Sequence, residues 1–253
     1  MRSAACVAMA FLTFASAARG QSAAAHLAEG DRLYAAREAV KALAAYEAGV
    51  RADSTSVAAL SRAARSATDL GEYEPDGAQQ QRYFTRARLL AQLAVRADSA
   101  SAEAHFQLSR AVGRVALAAG VKERVRLAVE VRTEAMRALA RDPNHPGALH
   151  VLGVWNAEIM RLNGFERMMA KTFLGGKVLG EANWAEARRD LERAVQIEPN
   201  RLVHHLDLGR VYRDTGDTAR AREEFELVGR APVADYNDPN YKREAAAALR
   251  SLK

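Results

Sequence analysis

Residues 205–228 read HLDLGRVYRDTGDTARAREEFELV and carry the clearest structural signal in the chain. Small residues and large, mostly apolar residues recur every three or four positions within each half of this stretch, which is the spacing of one face of an α-helix. They are His205, Leu208, Gly209, Tyr212, Ala221, Phe225 and Val228. The small residue lets two antiparallel helices approach closely, and the large residues fill the space between neighbouring helix pairs. The stretch therefore predicts a helix pair.

This order of residues follows the tetratricopeptide repeat, W-x2-L-G-x2-Y…A-x3-F…P over about 34 residues. Gly209 and Ala221 are 12 residues apart, and Gly30 and Ala42 near the start of the chain have the same separation. The sequence thus predicts compact repeats of this kind near both ends of the chain.

Residues 143–199 contain a further repeat that is interrupted in the middle. It begins with Leu149, Leu152, Gly153 and Asn156 and ends with Ala187, Leu191, Ala194 and Pro199. The step from Gly153 to Ala187 is 34 residues instead of 12, so about 22 extra residues separate the two helices. We place this insertion at about 159–182, and Asn183 with Glu186 predicts a capping box where the second helix starts.

Acidic residues close the successive repeats at Asp53, Asp98, Asp142 and Glu198, which are 45, 44 and 56 residues apart. All three intervals exceed the usual period of about 34, so the middle repeats are longer than normal. In the second repeat we predict a helix from Ser56 to Leu70, a loop over 71–77 and a partner helix from Arg82 to Ala97.

The fold class predicted for residues 21–253 is all-α. We expect a tetratricopeptide-repeat-like superhelix of about five antiparallel helix pairs plus a C-terminal capping helix. That last helix should begin at Asp238-Pro239, with Asp238 as its N-cap. Hydrophobic residues make up 49% of the chain, many of them alanine, and aromatic residues only 6%. This composition is typical of thin stacked helix pairs.

Residues 1–20 have the pattern of a secretory signal peptide. Arg2 precedes an apolar run over 4–14, and small residues lead to Gly20. We expect a mature N-terminus at Gln21 and therefore an exported protein. The arginine- and alanine-rich usage is typical of a GC-rich bacterium, in which an exported protein is periplasmic or secreted. The alternative is an uncleaved N-terminal membrane anchor, but the run is shorter than the ~20 residues that a spanning helix needs.

Cleavage would remove Cys6, the only cysteine, so a mature chain would have no disulfide and no thiolate site. It would also remove Arg2 and Arg19, lowering the formal charge from +6 to +4, and leave no stable membrane span. The remaining basic residues alternate with acids, which is typical of a solvated helix surface and not of a nucleic-acid-binding face.

Candidate chemistry elsewhere is weak. His204 and His205 are adjacent and point about 100° apart on a helix, whereas a helical metal pair needs a spacing of three or four. Residues 175–177, Gly-Gly-Lys, lack the Ser or Thr that completes a phosphate-binding loop, since Val178 follows. We predict no catalytic residues, no metal site, no cofactor and no enzyme activity.

The insertion contains an apolar stripe whose members are three and four residues apart. The candidate residues here are Phe165, Arg167, Met168, Met169 and Phe173. The stripe either packs on the neighbouring repeat or lines a pocket for an apolar ligand, with Arg167 facing an anionic headgroup. Phe173→Ala should lower stability in the first case and abolish ligand binding at unchanged Tm in the second.

The motifs GALHVLGVWNAEI at 147–159 and GFERMMAKTFLGG at 164–176, followed by WAEA and EPN, resemble the regulator of microtubule dynamics protein family. The resemblance is carried by Gly153, Trp155, Phe165, Arg167, Phe173 and Ala187. It implies a tetratricopeptide-like fold and, for eukaryotic members, association with microtubules and organelle membranes. For one branch it implies organelle tethering and phospholipid binding.

In such an array the first helix of each pair lines a concave groove. The groove candidates are Arg65, Asp69, Arg110, Arg114, His150, Glu158, Arg210, Arg213 and Asp214. Because ion pairs form between residues four apart on a helix, we expect Arg65–Asp69 and Arg210–Asp214 pairs. Arg110, Arg114 and Arg213 then remain unpaired and favour an anionic ligand; the alternative is an ordinary solvated groove.

Two functions fit these observations. The first is a non-catalytic scaffold that binds a protein or peptide, for example through a carboxylate of the peptide. The alternative is the binding or carriage of a phospholipid-like amphiphile.

Overall fold

The computed structural model describes residues 22–163 and 176–252, and all regular structure within those ranges is helical. The helices are α1 (22–35), α2 (Ala39–Ala52), α3 (Val57–Glu72), α4 (Gly77–Ala97), α5 (Ala102–Ala118), α6 (Val121–Arg141), α7 (Pro146–Arg161), α8 (Gly176–Leu179), α9 (Trp184–Ile197), α10 (Leu202–Asp214), α11 (Thr218–Arg230) and α12 (Asp238–Ser251). Over these ranges, no helix is both long and apolar enough to cross a membrane. The predicted signal peptide at 1–20 lies outside the described residues.

The helices form five successive pairs, α1–α2, α3–α4, α5–α6, α7–α9 and α10–α11, and α12 packs on the last pair. The first helices of neighbouring pairs also touch, because α3 contacts α5, α5 contacts α7, and α7 contacts α10. Stacking of this kind winds helix pairs into a superhelix whose first helices line the inner, concave face. The prediction of five pairs and a C-terminal capping helix is confirmed.

Long second helices account for two of the three stretched repeats in the middle of the chain, and the insertion accounts for the third. Helices α4 and α6 each have 21 residues. The predicted loop over 71–77 is present but shorter, at 73–76, since α3 continues to Glu72, and the predicted start of the partner helix is wrong, since α4 begins at Gly77, five residues before Arg82. Asp76 starts α4 by accepting a hydrogen bond from the Gln79 amide at 2.7 Å. An N-cap side chain of this type satisfies a free helix donor, which explains the early start.

Glycines on the first helices make room for large side chains on the second helices. A Cβ added at Gly209 would lie 2.7 Å from Phe225 Cε1, and one at Gly153 would lie 2.6 Å from Leu191 Cγ. Phe225 and Leu191 are both completely buried. The close approach predicted from the small residues of these two repeats is therefore present in the fold.

We predict opposite effects for two glycine-to-alanine changes. Gly209→Ala should lower the free energy of unfolding by about 1–3 kcal/mol, because overfilling a packed site forces neighbouring side chains to shift. Gly113→Ala should raise it by about 0.5–1 kcal/mol, since alanine is the better helix former and its Cβ would meet only Val131 Cγ2, at 3.8 Å. Urea denaturation of both variants measures the difference; a gain in stability at Gly209 would contradict this packing.

The described part of the insertion packs against the core. Leu179 of α8 is 2% exposed and joins the cluster that contains Trp155 and Ile159 of α7. The chain then reaches Asn183, whose side chain accepts a hydrogen bond from the Glu186 amide at 2.8 Å, which is one half of the predicted capping box. The Asn183 amide donates to Asn156 Oδ1 at 3.2 Å instead of to the Glu186 side chain, so the reciprocal bond of the box is not formed. The five insertion candidates, Phe165, Arg167, Met168, Met169 and Phe173, lie outside the described residues.

Candidate functional site

The concave groove is occupied by the chain's own residues 233–245, which we call the groove segment. After α11 the chain turns back towards the first repeats, where the carbonyl oxygen of Val233 accepts a hydrogen bond from Arg37 at 3.1 Å. The Asn237 side-chain amide donates to the backbone carbonyl of Asp69 in α3 at 3.0 Å. These contacts join residues 196 and 168 positions apart in sequence. The last element of the superhelix therefore touches its first two helix pairs.

Asp235 makes the first of two carboxylate contacts in the groove. Its carboxylate pairs with the guanidinium of Arg201, which precedes α10, and lies 3.0 Å from the hydroxyl of Tyr34 in α1. The same hydroxyl lies 2.7 Å from Asp69. Because it has a single proton, it donates to one of the two carboxylates at a time. Burial, together with the charge of Asp69, raises the pKa of Tyr34, so the phenol stays protonated as a donor.

Glu244 makes the second carboxylate contact with the same two residue types. One of its oxygens pairs with Arg210 of α10, and the other accepts a hydrogen bond from the hydroxyl of Tyr73 at 2.6 Å. Burial and this bond raise the pKa of Tyr73, so its hydroxyl remains a donor. Asp235 and Glu244 thus each meet one arginine and one tyrosine hydroxyl, whereas the third carboxylate of the groove segment, Asp238, accepts hydrogen bonds from the backbone amides of Ala234 and Asp235.

Three buried side chains lie between these contacts, and Asp238 among them bonds to the nearby amides of Ala234 and Asp235. Asn237 is 3% exposed and Tyr241 is 6% exposed. The Tyr241 hydroxyl donates to Glu72 of α3 at 3.2 Å, and its ring meets that of Tyr73 edge-on with centroids 5.9 Å apart. Such a ring geometry is favourable beyond the area it buries. The groove segment is therefore held by packing as well as by charge.

A buried cluster of four charges lies beneath the groove segment. Arg110 of α5 contacts Asp69 at 2.5 Å, and Arg114 contacts Glu72 at 2.5 Å. Burial alone would raise the pKa of Asp69, but Arg110 and Arg201 hold it below its ordinary value. The prediction that Arg110 and Arg114 are unpaired is wrong, because carboxylates of the neighbouring helix α3 neutralise them.

The other predicted pairs are also replaced. Arg65 does not bind Asp69; its guanidinium stacks on the ring of Tyr34, with Cζ 3.8 Å from the ring centroid. Arg210 pairs with Asp207 at 2.6 Å and with Glu244 instead of Asp214. Asp214 instead receives Arg161 at 2.6 Å and Arg213 at 2.9 Å. The predicted spacing of four residues on one helix therefore gives neither of the expected pairs.

His150, another groove candidate, contacts the first of the two adjacent histidines. The Nδ1 atoms of His150 and His204 are 2.9 Å apart. The Nε2 atom of His204 lies 3.1 Å from Glu198, and that of His150 lies 3.3 Å from Asp207. His204 and His205 are each 3% exposed, which fits packing residues. Within 22–163 and 176–252, no group of three or more His, Cys, Asp or Glu side chains could hold a metal ion.

We predict that His204 makes stability depend on pH. Burial lowers the pKa of His204 from 6.5 to about 4, against the opposing hydrogen bond with Glu198. Between those two pH values the unfolded chain binds a proton that the folded chain does not, so stability falls by up to about 3 kcal/mol as the pH is lowered through this window. The slope of the free energy of unfolding between pH 6.5 and 4 should be smaller in His204→Gln than in the native chain.

His205 provides the matched control for that experiment. Burial alone would lower its pKa, but hydrogen bonds to Glu224 and to the Pro199 carbonyl raise it above 6.5. Its contribution is therefore present at low pH and is lost as the pH rises through the raised pKa. His205→Gln should remove this loss of stability above pH 6.5 and leave the slope between pH 6.5 and 4 nearly unchanged, whereas His204→Gln acts in the lower window. Equal slopes in both variants would contradict the assigned environments.

Sequence reasoning found Arg210 but missed the other residues that contact the carboxylates of the groove segment. The missed residues lie at the ends of helices and are Tyr34, Tyr73 and Arg201. Counting positions along a helical face does not indicate which way a side chain at a helix end points. The available signal was the run DYND at 235–238, which places polar residues directly before the last helix. In the structure α12 begins at Asp238 with Asn237 as its N-cap, one residue earlier than predicted.

Five stacked helix pairs, four of which place a glycine of the first helix against a large side chain of the second, define this chain as a tetratricopeptide-repeat protein. It is similar in fold to a thermophilic tetratricopeptide-repeat protein of Thermus thermophilus, with a TM-score of 0.66 and 19% identity. That likeness covers 90% of this chain and 99% of the other.

The family is shown by sequence comparison. The family model described as regulator of microtubule dynamics protein 1-3 matches residues 26–253, and the chain belongs to that family. It is 23% identical over 186 residues to regulator of microtubule dynamics protein 3 of Bos taurus, covering 73% of this chain and 39% of that protein. It is 23% identical over 195 residues to protein 1 of the same species, covering 76% and 61%. The chain therefore spans less than two thirds of these relatives.

Proposed function

We propose that this protein is a non-catalytic scaffold that binds a segment of a partner protein in its concave groove. The observation that carries the proposal is the groove segment itself. Residues 233–245 show that the groove accommodates a polypeptide that runs from an extended stretch into a helix. They make side-chain and backbone contacts to α1, α3 and α10. A surface that binds this segment has the chemistry to bind a similar one from another protein.

We also propose that the protein works after export, in the periplasm or outside the cell. Residues 1–20 support this by their order of charge, apolar run and small residues. The relatives are named for microtubule dynamics. Export would separate this chain from tubulin, so we propose an extracytoplasmic protein partner in place of microtubules. N-terminal sequencing of protein from the native host tests the export: recovery of Gln21 supports it, and an intact Met1 in the membrane fraction contradicts it.

Site-specific photocrosslinking in the native host tests the binding surface. A photoreactive amino acid at Arg62 lies on the groove face of α3, seven residues before Asp69, where the native side chain is 36% exposed. The same amino acid at Met136 of α6, which is 48% exposed on the second helix of a pair, is the control. We expect a crosslinked protein at position 62 and none at position 136. Crosslinks confined to position 136, or a crosslinked lipid at position 62, would contradict the proposal.

A further inference from the structure

We infer that the groove recognises a segment with two carboxylates nine residues apart and a tyrosine between them, and that the groove segment is a resident competitor for that position. This inference rests on the proposed function and specifies the partner's chemistry and its regulation. The segment has Asp235, Tyr241 and Glu244, giving the pattern D-x5-Y-x2-E. The partner would be a protein whose exposed segment presents the same groups.

The two carboxylate contacts support this inference because each of them consists of one arginine and one tyrosine hydroxyl. Arg201 with Tyr34 binds Asp235, and Arg210 with Tyr73 binds Glu244. An arginine beside a hydroxyl donor suits a carboxylate, because charge-assisted hydrogen bonds are stronger than neutral ones. The carboxylates are only partly exposed, 14% for Asp235 and 35% for Glu244, so water screens them less than at an open surface.

The middle of the groove selects a tyrosine by a different contact. Glu72 accepts a hydrogen bond from the Tyr241 hydroxyl at 3.2 Å, while the ring of Tyr73 meets that of Tyr241 edge-on. Glu72 is itself paired with Arg114 at 2.5 Å. A phenol satisfies that carboxylate as a neutral donor, whereas a second carboxylate at this position would be repelled. The recognised pattern is thus acid, tyrosine, acid in that order.

Covalent attachment gives the groove segment an advantage over any partner. It follows α11 after a short connection from residue 231, and a tethered ligand of this kind experiences an effective concentration on the order of millimolar. A free segment with the same contacts would not displace it at micromolar concentration. Binding of a partner therefore requires either tighter contacts or prior weakening of the resident contacts.

The test uses the full chain and a fluorescent synthetic peptide, APVADYNDPNYKREAA, copied from residues 231–246. In the double variant Asp235→Asn, Glu244→Gln the resident segment keeps its size but loses the two carboxylates that contact Arg201 and Arg210, so these arginines become available to the peptide. We expect the variant to bind the peptide at least about tenfold more tightly than the native chain, as measured by fluorescence anisotropy. A control peptide with Asn at the position of Asp235 and Gln at that of Glu244, but with Asp238 kept, should bind at least about tenfold more weakly. Adding Arg210→Gln to the variant should weaken its binding of the acidic peptide and leave its binding of the neutral peptide unchanged.

Equal affinities of the native chain and the double variant for the acidic peptide would overturn the competition. Equal affinities of the variant for the acidic and neutral peptides would overturn the recognition pattern. Absence of binding to any form would overturn the whole inference, with circular dichroism used to establish that the variant is folded. None of these results removes the proposed function, which fails only if crosslinks are confined to position 136 or if position 62 captures a lipid.

Discussion

Arg110→Ala should lower the free energy of unfolding by about 3–5 kcal/mol. The side chains of Arg110 and Asp69 are only 14% and 5% exposed and are 2.5 Å apart. Removing one partner of a buried ion pair leaves the other charge without compensation, and losses of about this size follow. Arg110 therefore stabilises the fold, whereas the sequence pattern predicted that it binds a ligand in the groove.

Two further variants separate this effect from a general loss of positive charge. Arg213→Ala removes an arginine that is 40% exposed and pairs with the adjacent Asp214, so it should cost less than about 1 kcal/mol. Combining Arg110→Met with Asp69→Asn should recover part of the loss, because no unpaired charge is then buried. Chemical denaturation measures all of these values. Equal losses for Arg110→Ala and Arg213→Ala would contradict the buried cluster.

Phe225→Ala should have an effect of similar size, about 3–5 kcal/mol, through packing alone. The ring of Phe225 is completely buried between α10 and α11, and its edge fills the space opposite Gly209. Truncation leaves a cavity that this rigid helix pair fills only in part. Leu89→Ala is the control, since Leu89 is 45% exposed and its truncation should cost less than about 1 kcal/mol.

The packing of Phe225 also predicts non-additivity. Gly209→Ala brings a methyl group to 2.7 Å from the ring edge, and a smaller side chain at position 225 removes that clash. The double variant Gly209→Ala, Phe225→Leu should therefore be more stable than the sum of the two single changes indicates, because residues in contact couple energetically. Strict additivity would show that the two residues do not face each other in solution.

Local spacing was sufficient to predict the fold. Each predicted glycine contact lies within a single helix pair, Gly209 with Phe225 in α10–α11 and Gly153 with Ala187 in α7–α9. The sequence pattern alone therefore identifies both contacts. The capping of α9 by Asn183 is local in the same sense. The early start of α4 was missed because Asp76 acts as its N-cap through Gln79, inside a stretch that Pro75 and two glycines made resemble a loop.

The groove could not be predicted in the same way. Asp69 has Arg65 four residues away on its own helix, but Arg110 on the neighbouring helix reaches it in a more buried setting. The contacts of the groove segment join residues 201 and 171 positions apart, Tyr34 with Asp235 and Tyr73 with Glu244. Such contacts depend on how far the superhelix turns over its whole length, and no local pattern contains that information.

The central claim is that the chain's own C-terminal segment lies in the groove, and magnetic resonance of selectively labelled tyrosines tests it most directly. The rings of Tyr73 and Tyr241 have centroids 5.9 Å apart, so nuclear Overhauser contacts between their ring protons should appear in the full chain. Tyr241→Phe and Tyr73→Phe assign the signals, and the contacts should weaken in Asp235→Asn, Glu244→Gln. Their absence from the native chain under folded conditions would contradict the placement of residues 233–245 in the groove.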